Sequence, residues 1–115
     1  MKRAALLMSF AFALACNKHE SLPGDPEHGK ELIQQYGCTA CHSIPGVKGP
    51  KGMVGPSLEH IGTRTYIAGK LQNNAQNMAK WLQNPQAFDP NNAMPNLGVT
   101  PEDARDITAF LDTLK

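Results

Sequence analysis

Cys38-Thr39-Ala40-Cys41-His42 is the stretch on which the reading of this chain turns. Two cysteines separated by two residues and followed at once by a histidine form the arrangement of covalent c-type haem attachment. The chemistry explains the spacing. Two thiols add across the two vinyl groups of a porphyrin as thioethers. Two intervening residues let both sulfurs reach one edge of the ring from a single helical turn, and the histidine then lies under the iron as a proximal ligand. Competing readings of the run are weaker. A structural zinc site usually takes four ligands, commonly from two such pairs, and no second Cys-x-x-Cys or His-x-x-x-His follows. A thioredoxin-like pair belongs to a βαβ pattern, which does not surround this run. A plain disulfide leaves His42 without a purpose. The run therefore predicts one covalent haem c, attached at Cys38 and Cys41, with His42 on the iron.

With 115 residues, one small domain is expected. A domain of that size buries a modest core, and an enclosed haem adds a large apolar body for the chain to wrap. The chain is therefore expected to fold poorly without its cofactor. The three cysteines leave no pair for a structural disulfide: two go to the haem and Cys16 belongs to the leader.

The N-terminus reads as an export signal. Lys2 and Arg3 precede an apolar run, Ala4 to Ala15, too short to cross a bilayer as a mature helix. Ala13 and Ala15 satisfy the small-x-small rule of ordinary signal peptidase. Ala13-Leu14-Ala15-Cys16 also resembles the lipobox of bacterial lipoproteins, whose cysteine thiol receives diacylglycerol, although leucine is usual where Ala13 stands. A leftover free thiol in an oxidising compartment is otherwise hard to explain, so residues 1–15 are expected to be a signal peptide and Cys16 a lipidation site. Residues 16–24 then form a lipid-anchored tether and residues 25–115 the domain. The protein is expected to be exported to the periplasm or cell surface and held at the membrane. Without Lys2 and Arg3 the chain keeps nine basic against ten acidic residues. No basic stripe exists, which argues against nucleic acid as a partner.

Helices dominate the coarse pattern. Asp25 can cap a helix, Pro26 suits its first position and Glu27 its positive end. Leu32, Ile33 and Tyr36 recur at helical spacing toward Gly37. Residues 43–56 carry so many glycines and prolines that they must be loop, with a brief helical turn near Ser57–Ile61. A second helix is expected near Gln72–Gln83, closed by Pro85, then a loop, Gln86–Leu97. Thr100 caps the last helix, with Ile107, Phe110, Leu111 and Leu114 on its buried stripe. No convincing strand pair is visible. His19, His28 and His60 read as exposed.

The iron needs a sixth ligand or an open position. Met78 lies on an apolar helix face and reads as core. Met53 sits in the glycine-rich loop and is a weaker candidate. Met94, a loop methionine before Pro95 and between the last two helices, is best placed.

On these residues the chain resembles class I monohaem cytochromes c, the small bacterial type and the cytochrome c domains fused to some oxidase subunit II chains. The resemblance covers about residues 27–114. It rests on His28-Gly29-Lys30-Glu31-Leu32-Ile33 with Tyr36-Gly37-Cys38, on Gly55-Pro56-Ser57-Leu58, and on Trp81-Leu82-Gln83-Asn84-Pro85 through Asp89 to Pro95. It implies an all-α small cytochrome c fold of three to five helices around one haem c. Gly29 and Phe110 match the family's close crossing of first and last helices. The Pro56 carbonyl would accept the second ring nitrogen of His42, Leu58 would pack on the haem, and Arg64 would meet a propionate. Trp81 would line the pocket and Met94 would be the axial ligand.

A haem with both axial positions filled has no vacant site for substrate, so the expected role is electron transfer. The protein would carry electrons from a quinol-oxidising complex to a terminal oxidase or another exported reductase, and would not be an enzyme. Two alternatives stay open: a haem enzyme or gas or peroxide sensor with an open iron, and a fixed cytochrome subunit of a respiratory complex.

Overall fold

The structure, a computed structural model, describes residues 23–115. The leader, Cys16 and His19 lie outside the described residues. Three helices carry the fold: α1 (Pro26–Gln35), α2 (Ala75–Gln83) and α3 (Pro101–Asp112).

Each helix starts where a side chain can take up orphan backbone N–H groups. The Asp25 carboxylate accepts from the amides of Glu27 and His28, at 3.0 and 3.3 Å. Asn74 caps α2 through the Asn77 amide at 2.8 Å. Thr100 caps α3 through that of Asp103 at 3.1 Å. The Asn74 cap corrects the expected start of α2: the helix begins at Ala75, and Gln72 belongs to a strand.

α1 stops at Gly37, whose φ of 73° is left-handed, a conformation glycine adopts without steric cost. The chain then turns through a short 3-10 segment, Cys38–Ala40. The expectation of no strand pair is also corrected. β1 (Tyr66–Ile67) and β2 (Leu71–Gln72) pair antiparallel, with Tyr66 opposite Gln72 and Ile67 opposite Leu71. Two residues per strand are too few to show a period-two pattern. The loop between them depends on positive φ at Ala68 and Gly69. The helical turn expected near Ser57–Ile61 lies at Ile61–Thr63.

The core is built where α1 and α2 pack on α3. Leu32 and Ile33 come from α1, Met78, Ala79, Trp81 and Leu82 from α2, and Ala104, Ile107, Phe110 and Leu111 from α3. α1 and α3 approach so closely that a Cβ on Gly29 would lie 2.0 Å from the Asp106 carbonyl oxygen. Phe110 follows one turn later and is buried. The same crossing is pinned by the Tyr36 hydroxyl, which donates to the Asp103 carboxylate at 2.6 Å. Gly24, at the end of the expected tether, already lies against the Arg105 carbonyl of α3.

Candidate cofactor site

The site begins at the C-terminus of α1. The 3-10 turn is closed by the amides of Cys41 and His42, both donating to the Cys38 carbonyl. This places two half-buried thiols and an imidazole on one short turn. Cys38 and Cys41 are not joined in a disulfide, so both sulfurs are available for thioether links. Before haem attachment, burial holds the Cys38 thiol above its ordinary pKa, since a thiolate is poorly solvated there.

The glycine-rich loop is strapped onto this turn by backbone hydrogen bonds. The Gly52 amide donates to the Thr39 carbonyl at 3.0 Å, Gly55 to Cys41 at 2.7 Å and Leu58 to Ser43 at 2.9 Å. The strap brings the Pro56 carbonyl to His42 Nδ1 at 2.7 Å. A carbonyl only accepts, so Nδ1 carries the proton and Nε2 keeps its lone pair. The loop must also pass over the ring: a Cβ on Gly55 would sit 2.3 Å from His42 Cε1. The glycine is what lets the backbone reach that position.

Facing the turn is a cavity of about 390 Å³, lined by Cys38, Cys41, His42, Val54, Pro56, Trp81, Asn92, Met94 and Leu97 among others. A smaller one of about 60 Å³ reaches the core between Leu58, Ile61, Ile67, Met78, Ile107 and Leu111. Cys38, His42, Trp81 and Met94 line both. No Asp, Glu, Lys or Arg side chain lines either cavity. Among the described residues, no three His, Cys, Asp or Glu side chains come together as a metal-ion site. An uncharged slot with two thiols, one imidazole with a free Nε2 and one thioether suits a metal that arrives inside its own apolar macrocycle. The residues fit a haem.

The sequence-predicted residues distribute as follows. Cys38, Cys41, His42, Pro56, Trp81 and Met94 meet at the larger cavity and Leu58 at the smaller. Trp81 is only 7% exposed and packs on Phe88 with ring centroids 6.5 Å apart. Arg64 lines neither cavity; it is exposed and its Nη2 donates to the Ser57 carbonyl. Met78 is buried core and Met53 is 92% exposed. His28 and His60 are exposed. Nothing in the sequence singled out Gln86 and Asn92, whose amides bond the backbone of Met94.

The cytochrome c family profile matches residues 26–115. The chain belongs to the cytochrome c family. Among curated relatives, cytochrome c oxidase subunit 2 of Alkalihalophilus pseudofirmus is 32% identical over 88 residues, 76% of this chain and 25% of that protein. The protein of the same name from Bacillus sp. strain PS3 is 35% identical over 89 residues, 74% of this chain and 25% of the relative. The chain thus spans about a quarter of the length of the curated relatives it matches. Among solved structures, cytochrome c2 from Rhodobacter sphaeroides superposes with a TM-score of 0.61 at 21% identity, covering 80% of this chain and 97% of that one. Cytochrome c2 from Paracoccus denitrificans gives 0.57 at 21% identity, covering 79% and 96%. These neighbours share the fold: a small, helix-dominated cytochrome c fold. Membership brings a covalently bound haem c and the family's haem-based electron transfer.

Proposed function

We propose that this protein is a one-electron carrier whose haem is attached at Cys38 and Cys41 and ligated by His42 and Met94. The observation that carries the reading is the His42–Pro56 hydrogen bond of 2.7 Å at a cavity that Met94 also lines. The haem, when bound, supplies a one-electron iron couple. The Pro56 carbonyl fixes the rotation of the His42 ring and raises its basicity as a ligand. The Met94 thioether favours the reduced state relative to a second nitrogen ligand. Trp81 and Leu58 keep water from the inner pocket. Arg64 spends one N–H on Ser57, and its remaining donors suit a propionate at the rim.

Electrons would come from a quinol-oxidising complex and pass to a terminal oxidase or another exported reductase. Docking of such partners is transient and small in area. The protein is exported, and Cys16 carries the lipid that holds it at the membrane. Among the described residues no helix is long and apolar enough to cross a membrane. Changing Cys16→Ser should release the protein into the soluble fraction; persistent membrane association after extraction of peripheral proteins defeats the lipid anchor.

A second reading, a fixed subunit of a respiratory complex, draws support from the matched relatives, which are subunits of cytochrome c oxidase by name. Co-purification with an oxidase in mild detergent favours it, and a freely exchangeable reduced protein counts against it.

The deciding experiment is an optical spectrum of the matured protein, oxidised and reduced, with and without carbon monoxide. A closed His/Met carrier gives a low-spin reduced spectrum, a weak far-red sulfur-to-iron band when oxidised, and no response to carbon monoxide. Met94→Ala should lower the potential and open the iron to carbon monoxide. If neither changes, Met94 is not the ligand. A parent protein that is high-spin and shifts with carbon monoxide turns the reading to an open iron with peroxide or gas chemistry.

A further inference from the structure

We propose that Gln86 and Asn92 act together as a clamp on the Met94 backbone and so determine how firmly its thioether is held in the haem pocket. The proposal rests on the reading of Met94 as axial ligand. A methionine side chain has three rotatable bonds and adapts readily to irregular space. It cannot place its own sulfur, so placement has to come from the backbone that bears it. Met94 lies in neither helix nor strand. Both of its backbone polar groups are instead taken by side chains. The Met94 amide donates to Asn92 Oδ1 at 2.7 Å, and its carbonyl accepts from Gln86 Nε2 at 2.7 Å.

Gln86 also holds Asn92, and Asn92 is fixed in turn by the backbone before it. Gln86 Nε2 donates to the Asn92 carbonyl at 3.1 Å. Asn92 Nδ2 donates to the carbonyls of Asp89 and Pro85. Every partner of these two nitrogens is a carbonyl, which only accepts. The orientation of both amides follows, and it turns the Asn92 oxygen to the Met94 N–H.

The clamp has a rigid root. Gln86 sits in the 3-10 turn Pro85–Ala87, which Asn84 caps through the Ala87 amide at 3.2 Å. Pro85 is among the most deeply buried side chains of the protein. That turn follows directly on α2, the helix that carries Trp81 into the same cavity. Met94 therefore hangs from α2 through two amide side chains, while Pro95 after it has no N–H to bond. Gln86 and Asn92 are positioning residues: they act on the pocket through Met94.

The test uses the full, haem-loaded protein and near-isosteric changes. Gln86→Glu removes both donations and sets a carboxylate against two carbonyls. Asn92→Asp keeps the acceptor for Met94 but loses the two donations that orient it. Gln83→Glu is the charge control, because Gln83 bonds the Ala79 carbonyl within α2. Gln86→Glu frees the Met94 carbonyl and should raise the exchange rate of the Met94 amide by about tenfold through easier opening of the loop, the scale of one lost hydrogen bond. Asn92→Asp keeps the acceptor of that amide, so its effect is read at the haem. Each clamp variant should weaken the far-red band, lower the potential and make the reduced protein react with carbon monoxide, with Gln83→Glu behaving as the parent. The clamp is overturned if Gln86→Glu keeps the parent's exchange rate and both variants keep its band and indifference to carbon monoxide, or if Gln83→Glu matches them. Met94→Ala separates the two layers. If it opens the iron while the clamp variants do not, the ligand stands and the clamp falls. If it changes nothing, the ligand assignment falls and takes the clamp's role with it.

Discussion

His28 shows how much a single side chain can say that its sequence position does not. It is exposed at the start of α1, yet its Nδ1 lies 2.7 Å from an Asp106 carboxylate oxygen of α3. The other Asp106 oxygen accepts the Asp25 amide at 2.8 Å. The hydrogen bond to Asp106 holds the His28 pKa above 6.5. The Asp25 amide, then His28, hold the Asp106 pKa below 3.8. The signs set a window. The His28 contribution is full below 6.5 and lost as pH rises through its raised folded value; that of Asp106 is full above 3.8 and lost as pH falls through its lowered one. Asp106→Asn keeps an acceptor for the Asp25 amide but removes the charge. Its His28 should titrate closer to 6.5, read from the imidazole proton shifts. Its stability deficit should be largest between those two values and shrink at alkaline pH. A His28 titration unmoved by the substitution rejects the pairing.

Elements meet most tightly at Gly29. The nearest atom to a Cβ there belongs to the α3 backbone, at Asp106 O, so no flexible side chain can give way. Gly29→Ala gains helix propensity, but the overpacking outweighs it. Helices α1 and α3 would have to separate, with a loss of about 3 kcal/mol, at the upper end for added volume in a packed contact. Denaturant unfolding of the haem-loaded protein measures it; unchanged stability would show that the crossing relaxes freely. The flanking contact from Tyr36 to Asp103 belongs to the same crossing. It holds the Tyr36 hydroxyl above its ordinary pKa, because the carboxylate accepts the proton the phenol would otherwise lose.

The molecule as a whole is arranged around the space beside Cys38 and His42. A core of few side chains opens onto cavities lined by Trp81, Met94 and Leu58. Without the group that fills them, those apolar walls gain little from being held together. A Cys38→Ala/Cys41→Ala chain made without haem should therefore lack a sharp unfolding transition and show weak near-ultraviolet circular dichroism. A cooperative transition like that of the parent contradicts this.

Much of the arrangement was legible from local order along the chain. Asp25-Pro26 and Thr100-Pro101 announce two of the three helices because caps act within one turn. Cys38, Cys41 and His42 announce a haem because their chemistry is contained in five residues. The Asn74 cap was missed because a helical period continues back toward Gln72 without it. The short β1–β2 pair was missed because two residues show no period. What the sequence by itself determined was the covalent haem, the helical character and the starts of the first and last helices. The meeting of the Pro56 carbonyl with His42 was implied by the family resemblance, whereas only the tertiary structure decided that Asp106 meets His28 and that Gln86 and Asn92 hold Met94. The physical reason is range. A cap or a haem-binding turn closes over neighbouring residues, whereas His28 and Asp106 are brought together only by the close packing of α1 on α3 at Gly29.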